Sequence, residues 1–269
     1  MNDLLGLLEY PFVQRALIAG SLISVCASVL GVVLVLKHYA LIGHGLSEIG
    51  FASLSISSAL EIPSMYAAVP SVFIASFVIM TVSRKYKTAG DIAIAAASSA
   101  ALALGIAVSS LAGKSSGMGA YLFGSVLAMS DIDMYMSVIL SLAVIMTFIL
   151  FYNRLFLITY SEDYARTLGI NVSLWQSVIS FLTAMVVVVG MRMTGTLLIS
   201  GVVILPAVTA RTIARGFRSL VMISGVVSFV AFISGLCVSF VFNIPAGAGV
   251  ILMNTAILII VKIFAGAKS

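Results

Sequence analysis

Nine mostly apolar stretches, each close to the roughly twenty residues that a helix needs to cross a bilayer core, recur along this 269-residue chain. They run near 16–36, 40–60, 64–82, 92–112, 134–152, 172–190, 194–210, 219–241 and 247–265. A chain built this way needs a solvent that accepts apolar side chains on every side of its helices. Charge points the same way: 9% of residues are charged and 62% hydrophobic, against about 25% charged in a soluble domain. So few charges cannot coat a water-facing surface, which excludes a soluble enzyme. Short alternating segments of about ten residues, the mark of an outer-membrane barrel, are missing. The expectation is an all-α, polytopic helical membrane protein with eight or nine transmembrane helices, forming one transmembrane domain over residues 1–269.

The charges sit between the apolar runs. Arg84, Lys85 and Lys87 form one basic connection, Arg211, Arg215 and Arg218 another, Arg154 and Arg166 flank a third, and Lys262 and Lys268 close the chain. By the positive-inside rule all four face the cytoplasm. The alternate connections carry Glu61, Asp131 with Asp133, and Asn243, so the carboxyl terminus lies inside and an odd span count puts the amino terminus outside. A net charge of +5 distributed like this encodes topology, not nucleic-acid binding. Cys26 and Cys237 sit inside apolar runs and read as small hydrophobes. Met1 to Gln14, with Asp3, Glu9 and no basic residue, has the wrong charge for a cleavable signal and reads as a short interfacial helix.

Two segments depart from the span pattern. Residues 113–130 are too glycine-rich to cross and too apolar to be a solvated loop, so a re-entrant or interfacial segment is expected. Residues 154–171 form the one long charged connection. Ser161 has the chemistry of an N-cap, Glu162 and Asp163 fall in a first turn, Arg166 near a last turn, and Gly169 at the left-handed position that closes a helix. That describes a short amphipathic helix at the cytoplasmic face. Ala93, Ala97, Ala101, Gly105, Ser109, Gly113 and Gly117 recur every four residues, which makes a small-residue stripe that admits a close helix neighbour if the helix runs on that far.

Against an apolar background the polar exceptions are His44 and Glu48 in the second run, Arg192 between two runs and Asn254 in the last. His44 and Glu48 stand i, i+4 and share one helix face. A carboxylate near mid-bilayer costs about 2.5–3.5 kcal/mol even on the lenient insertion scale, so it must face a cavity, a partner or a ligand. Imidazole nitrogen with carboxylate oxygen suits zinc or manganese; a proton relay and a mutual register lock are the other readings. Arg192 can snorkel to the outer edge. Pro206 removes a helix hydrogen bond and should kink the seventh run, and Pro245 marks a turn before the last. Gly113-Lys114-Ser115 ends like a P-loop, but Val108 replaces the required first glycine and no strand precedes it. No catalytic signature is present, so if transport is uphill its energy comes from elsewhere.

Several stretches, in order from about Phe12 to Ile260, resemble the permease subunits of ATP-binding-cassette importers for zinc and manganese. They are Tyr39-Ala40-Leu41-Ile42-Gly43 with Gly45-Leu46-Ser47, Asp91-Ile92-Ala93-Ile94 leading to Leu104-Gly105, Tyr121 to Ser125, Glu162 to Ile170, Gly195 to Ser200 with Pro206 to Ala210, and Ile244-Pro245-Ala246-Gly247. The resemblance implies a prokaryotic plasma-membrane permease that takes a divalent metal ion as cargo and holds no permanent cofactor. It also implies a permease homodimer, an extracytoplasmic metal-binding protein and a cytoplasmic ATP-binding-cassette ATPase. Into a groove of that ATPase would insert a coupling helix matching Glu162, Asp163, Tyr164, Ala165, Arg166 and Gly169. The family usually reads Gly-Asp-Gly/Ala-Leu-Ser/Ala-His where this chain has His44 in the Asp position and Glu48 in the His position. Carboxylate and imidazole persist in swapped order, and the Gly-Leu-Ser context with Gly50-Phe51 leans to zinc. Alternatives are a permease for another cargo such as a metal chelate, and a proton-coupled secondary transporter.

Overall fold

A computed structural model describes residues 11–37, 39, 41–61, 64–85, 90–113, 122, 124, 131–196 and 198–266. Among these, the chain is helical without a strand: α1 (Pro11–Leu36), α2 (Ile42–Ala59), α3 (Ser64–Lys85), α4 (Gly90–Leu111), α5 (Asp131–Leu150), α6 (Tyr152–Tyr160), α7 (Glu162–Thr167), α8 (Val172–Thr194), α9 (Ile199–Ile213), α10 (Phe217–Phe242) and α11 (Ala246–Gly266). Each expected span contains a helix, although the run 194–210 opens with the α8–α9 corner and its helix extends from Ile199 to Ile213. The amino-terminal interfacial helix lies outside the described residues except for Pro11 to Gln14, which open α1. The segment 113–130 is likewise outside them apart from Gly113, Leu122 and Gly124.

Length and composition sort the helices. Five, α1, α4, α8, α10 and α11, are long and apolar enough to cross a membrane, and a sixth qualifies if α5 and α6, bent by 79° at Phe151, count as one. The expected eight or nine spans therefore include helices that would not qualify alone. For α2 the reason is physical. It carries His44, Glu48 and the serines 47, 53, 55, 57 and 58, and is packed against α4 and α3 with α8 and α9 beside it. A helix enclosed by protein need not satisfy lipid.

The core is organised by α1 and α8, both buried over most of their length, whereas α4 and α11 are buried over less than a quarter of theirs and face outward. Small residues set the contacts. A Cβ at Gly31 would run into the Val203 carbonyl of α9, and one at Gly235 of α10 into the backbone of Val250 on α11. Side-chain hydroxyls fasten α1 to α10: the oxygens of Ser24 and Ser228 lie 2.6 Å apart, the Ser228 hydroxyl also reaches the Ser24 carbonyl, and Ser224 donates to the Ser28 carbonyl. On α4 the buried residues among positions 94–111 are Ile94, Ser98, Gly105 and Ser109, with Gly105 against Phe51 and Ala52 of α2. The expected small stripe is corrected in its extent, because the helix ends at Leu111 and Gly113 has turned off it at φ +67°.

Basic residues collect at one end. The Lys37 ammonium at the foot of α1 lies 2.7 Å from Glu162 of α7. Phe217, between Arg215 and Arg218, packs on Tyr152 and Phe156 of α6, which joins the α9–α10 connection to the α6–α7 corner. The opposite end is closed by Asn243, left-handed at φ +53°, with the Ser239 hydroxyl donating to the Ile244 carbonyl just before α11.

Candidate functional site

The second helix starts inside the bundle. After Lys37 the chain reverses, with the Tyr39 amide donating to the Leu34 carbonyl and the Ile42 amide to that of Tyr39. At Gly43 α2 then lies beside Ser200 and Val203 of α9, and at Gly50 it packs tightly against Met191 of α8. Val203 is ten residues above the end of α9 and Met191 nineteen above the start of α8. At about 1.5 Å per residue these levels are about 15 and 28 Å from the basic end. His44 and Glu48 fall between these two levels of the bundle.

On this helix the i, i+4 pair meets as its spacing requires: His44 Nε2 stands 3.3 Å from Glu48 Oε1. Their surroundings differ. The imidazole side chain is 42% exposed and the carboxylate 7%. Ser47, between them, turns its hydroxyl back to the His44 carbonyl. Glu48 Oε2 is buried without a hydrogen-bond partner among the described residues, an arrangement expensive to leave unsatisfied. One carboxylate oxygen beside the imidazole and one enclosed without a partner, next to an accessible ring, supply two donors that a cation could use. No cluster of three His, Cys, Asp or Glu occurs among the described residues, so a bound ion would keep water or take further ligands. His38, the other histidine, lies outside them.

Other polar groups fall apart from this pair. Asn254, fully buried on α11, donates to the Val250 carbonyl and leaves Oδ1 unpartnered. Thr196, at the α8–α9 corner, has a buried unpartnered hydroxyl that the sequence reading did not single out; its signal is the Gly195-Thr196 break after a long apolar run, with Gly195 at φ +91°. Arg192 is exposed in the last turn of α8. Pro206 is buried midway along α9, and the helix runs on through it.

The charged connection folds as its capping residues dictate. The Ser161 hydroxyl accepts from the Tyr164 amide at 3.3 Å. At the other end the Gly169 amide donates to the Arg166 carbonyl and the Ile170 amide to that of Ala165, with Gly169 at φ +75°, the paired bonds of a Schellman close. The six residues of α7 present two faces. Ala165 is fully buried, and Glu162 is engaged by Lys37, while Asp163, Tyr164 and Arg166, with Leu168 beyond, are exposed.

Comparison with known proteins bears on this geometry. The ABC 3 transport family model matches residues 9–265. The manganese import system permease protein ScaB of Streptococcus gordonii is 29% identical over 98% of this chain and 94% of its own. The manganese transport system membrane protein MntC of Listeria monocytogenes is 30% identical over 97% of this chain and 93% of its own. Among solved structures, PsaBC from Streptococcus pneumoniae in complex with Fab superposes with a TM-score of 0.85 at 27% identity, covering 95% of this chain and 92% of that one. A transporter assigned to the metal-chelate type, inward-facing, shares the fold at 15% identity and a TM-score of 0.70, over 92% of this chain and 84% of its own. With a family match across nearly its whole length and the same helical scaffold, this multi-pass membrane chain belongs to the ABC 3 transport family.

Proposed function

We propose that the chain is the permease subunit of an ATP-driven importer for divalent transition-metal ions, with His44 and Glu48 lining the path. The observation that carries this reading is the buried, unpartnered Glu48 carboxylate oxygen beside an accessible imidazole. A two-donor site is weak and short-lived, as a conduit needs, because cargo must leave as readily as it enters. Imidazole and carboxylate serve manganese and zinc alike. Manganese is the first cargo, since relatives at 29% and 30% identity are named for it; zinc, to which the local motif leans, is the second.

We infer the remaining parts from the same reading, which family membership supports. Eight or nine spans cross the membrane, two copies of the permease form the pathway, and a cytoplasmic ATPase subunit supplies the energy, the chain itself being no enzyme. An extracytoplasmic metal-binding protein delivers the ion. The ATPase is contacted through the outward face of α7, where Tyr164 is 57% and Leu168 54% exposed. Pro206 leaves the Val202 carbonyl without its helical donor, giving α9 a point at which to bend as the path opens.

Uptake of radiolabelled manganese and zinc by cells depleted of their other importers tests this reading. Glu48→Gln should reduce uptake at least tenfold with the protein still in the membrane, and His44→Ala should weaken apparent affinity. Unchanged uptake of both metals in the double variant would remove the pair from the path. Uptake by the purified chain alone, driven by a proton gradient, would replace the ATP-driven reading with a secondary transporter.

A further inference from the structure

A cavity of about 580 Å³ opens where α5 breaks into α6 beside the start of α8. Its walls grade in polarity. Thr147 and Val178 line the side toward the bilayer interior, Phe151 and Trp175 the middle, and Arg154 and Gly169 the basic end. The aromatic rings meet edge to face at a centroid distance of 4.7 Å, and the Arg154 guanidinium carbon lies 5.8 and 5.9 Å from their centroids. A cation–π contact uses the charge of the guanidinium without occupying its N–H groups as hydrogen-bond donors, so these stay available to an anion. No carboxylate lines the cavity, and none pairs with Arg154 among the described residues.

The surfaces beside the mouth identify the medium it faces. Leu142, Met146 and Ile149 of α5 and Leu174 and Phe181 of α8 are all exposed. Such residues on membrane helices look into lipid, so the cavity opens sideways to the bilayer at headgroup depth, where tryptophan and arginine anchor helices. The geometry points to a binding site for one anionic phospholipid of the basic-side leaflet, its phosphate on Arg154 and its glycerol and upper chains against Phe151, Trp175 and Val178. A basic pocket between membrane helices is the chemistry that selects anionic headgroups. Because Gly169 and Ile170 both close α7 and line the cavity, an occupied site braces the carboxyl end of that helix.

Native mass spectrometry of the full chain released from micelles containing equal dioleoylphosphatidylglycerol and dioleoylphosphatidylcholine tests the site. One retained phosphatidylglycerol is expected. Arg154→Gln should lower its occupancy about fivefold, the effect of one basic residue at a membrane surface. Val178→Phe, filling the cavity without altering charge, should lower it as well and covers the case in which Arg154→Gln misfolds. Arg215→Gln, elsewhere on the basic end, should leave it unchanged. Equal retention of the two lipids, retention in both cavity variants, or an equal loss in Arg215→Gln would overturn the assignment. So would displacement of the lipid by millimolar inorganic phosphate, which would mark a site for free anions.

Discussion

At the scale of single residues, the fold depends on what is absent as much as on what is present. Gly235 and Gly31 stand where another helix's backbone occupies the space of a Cβ. Gly235→Ala should therefore destabilise the protein by about 1–3 kcal/mol, as overpacking does, whereas Ser228→Ala, which removes a hydroxyl bridge from the same helix, should cost about 0.6 kcal/mol. Chemical unfolding in micelles measures both, and a larger loss for the serine would reverse the ranking of packing over hydrogen bonding. The site residues were legible because ionisable groups in apolar runs are rare: His44 and Glu48 stood out and do meet. Thr196 did not, since threonine is common in membrane helices and only its enclosure at the α8–α9 corner makes its hydroxyl an orphan.

At the scale of elements, the short helix α7 shows local code translated faithfully. Its cap and its close were both readable from Ser161 and Gly169 because they act within four residues of themselves. Ser161→Ala should loosen the helix by about 1 kcal/mol, and Gly169→Ala by about 1–2 kcal/mol, because φ is +75° while open space surrounds the position; amide exchange across 161–170 reports both. What sequence spacing could not reveal is the partner 125 residues away. Lys37 is nearly buried and holds Glu162, so a double-mutant cycle of Lys37→Met and Glu162→Gln should give a coupling of about 1–3 kcal/mol, between exposed and buried pairs. Additive losses would show that the two charges act independently. The burial of Ala165 is also a tertiary fact. It moves any test of ATPase contact to Tyr164, and Tyr164→Asp should lower ATP-driven uptake while leaving the permease folded.

For the whole molecule, charge placement and helix order agree. The end of α1 meets α7 through Lys37 and Glu162, and the α9–α10 connection meets α6 through Phe217; the positive-inside rule assigns that end to the cytoplasm as an expectation. A cysteine replacing Arg215 should react with a membrane-impermeant maleimide only in inverted vesicles, and one replacing Pro245 only in intact cells. The order and position of the helices were readable from runs of apolar residues. Which helices lie inside and which outside was not, because α1 and α11 are both apolar and differ only in what surrounds them. The exception is α2, too polar to qualify as a span yet enclosed among four neighbours. This has a consequence for biosynthesis. Leaving the translocon, α2 meets lipid before α4, α8 and α9 exist, and with a histidine, a glutamate and five serines it gains too little from lipid to stay there. It is expected to wait beside α1 and α3 or in the insertion machinery until α4, α8 and α9 arrive, so the segment that carries His44 and Glu48 becomes secure in the membrane only well after its own synthesis.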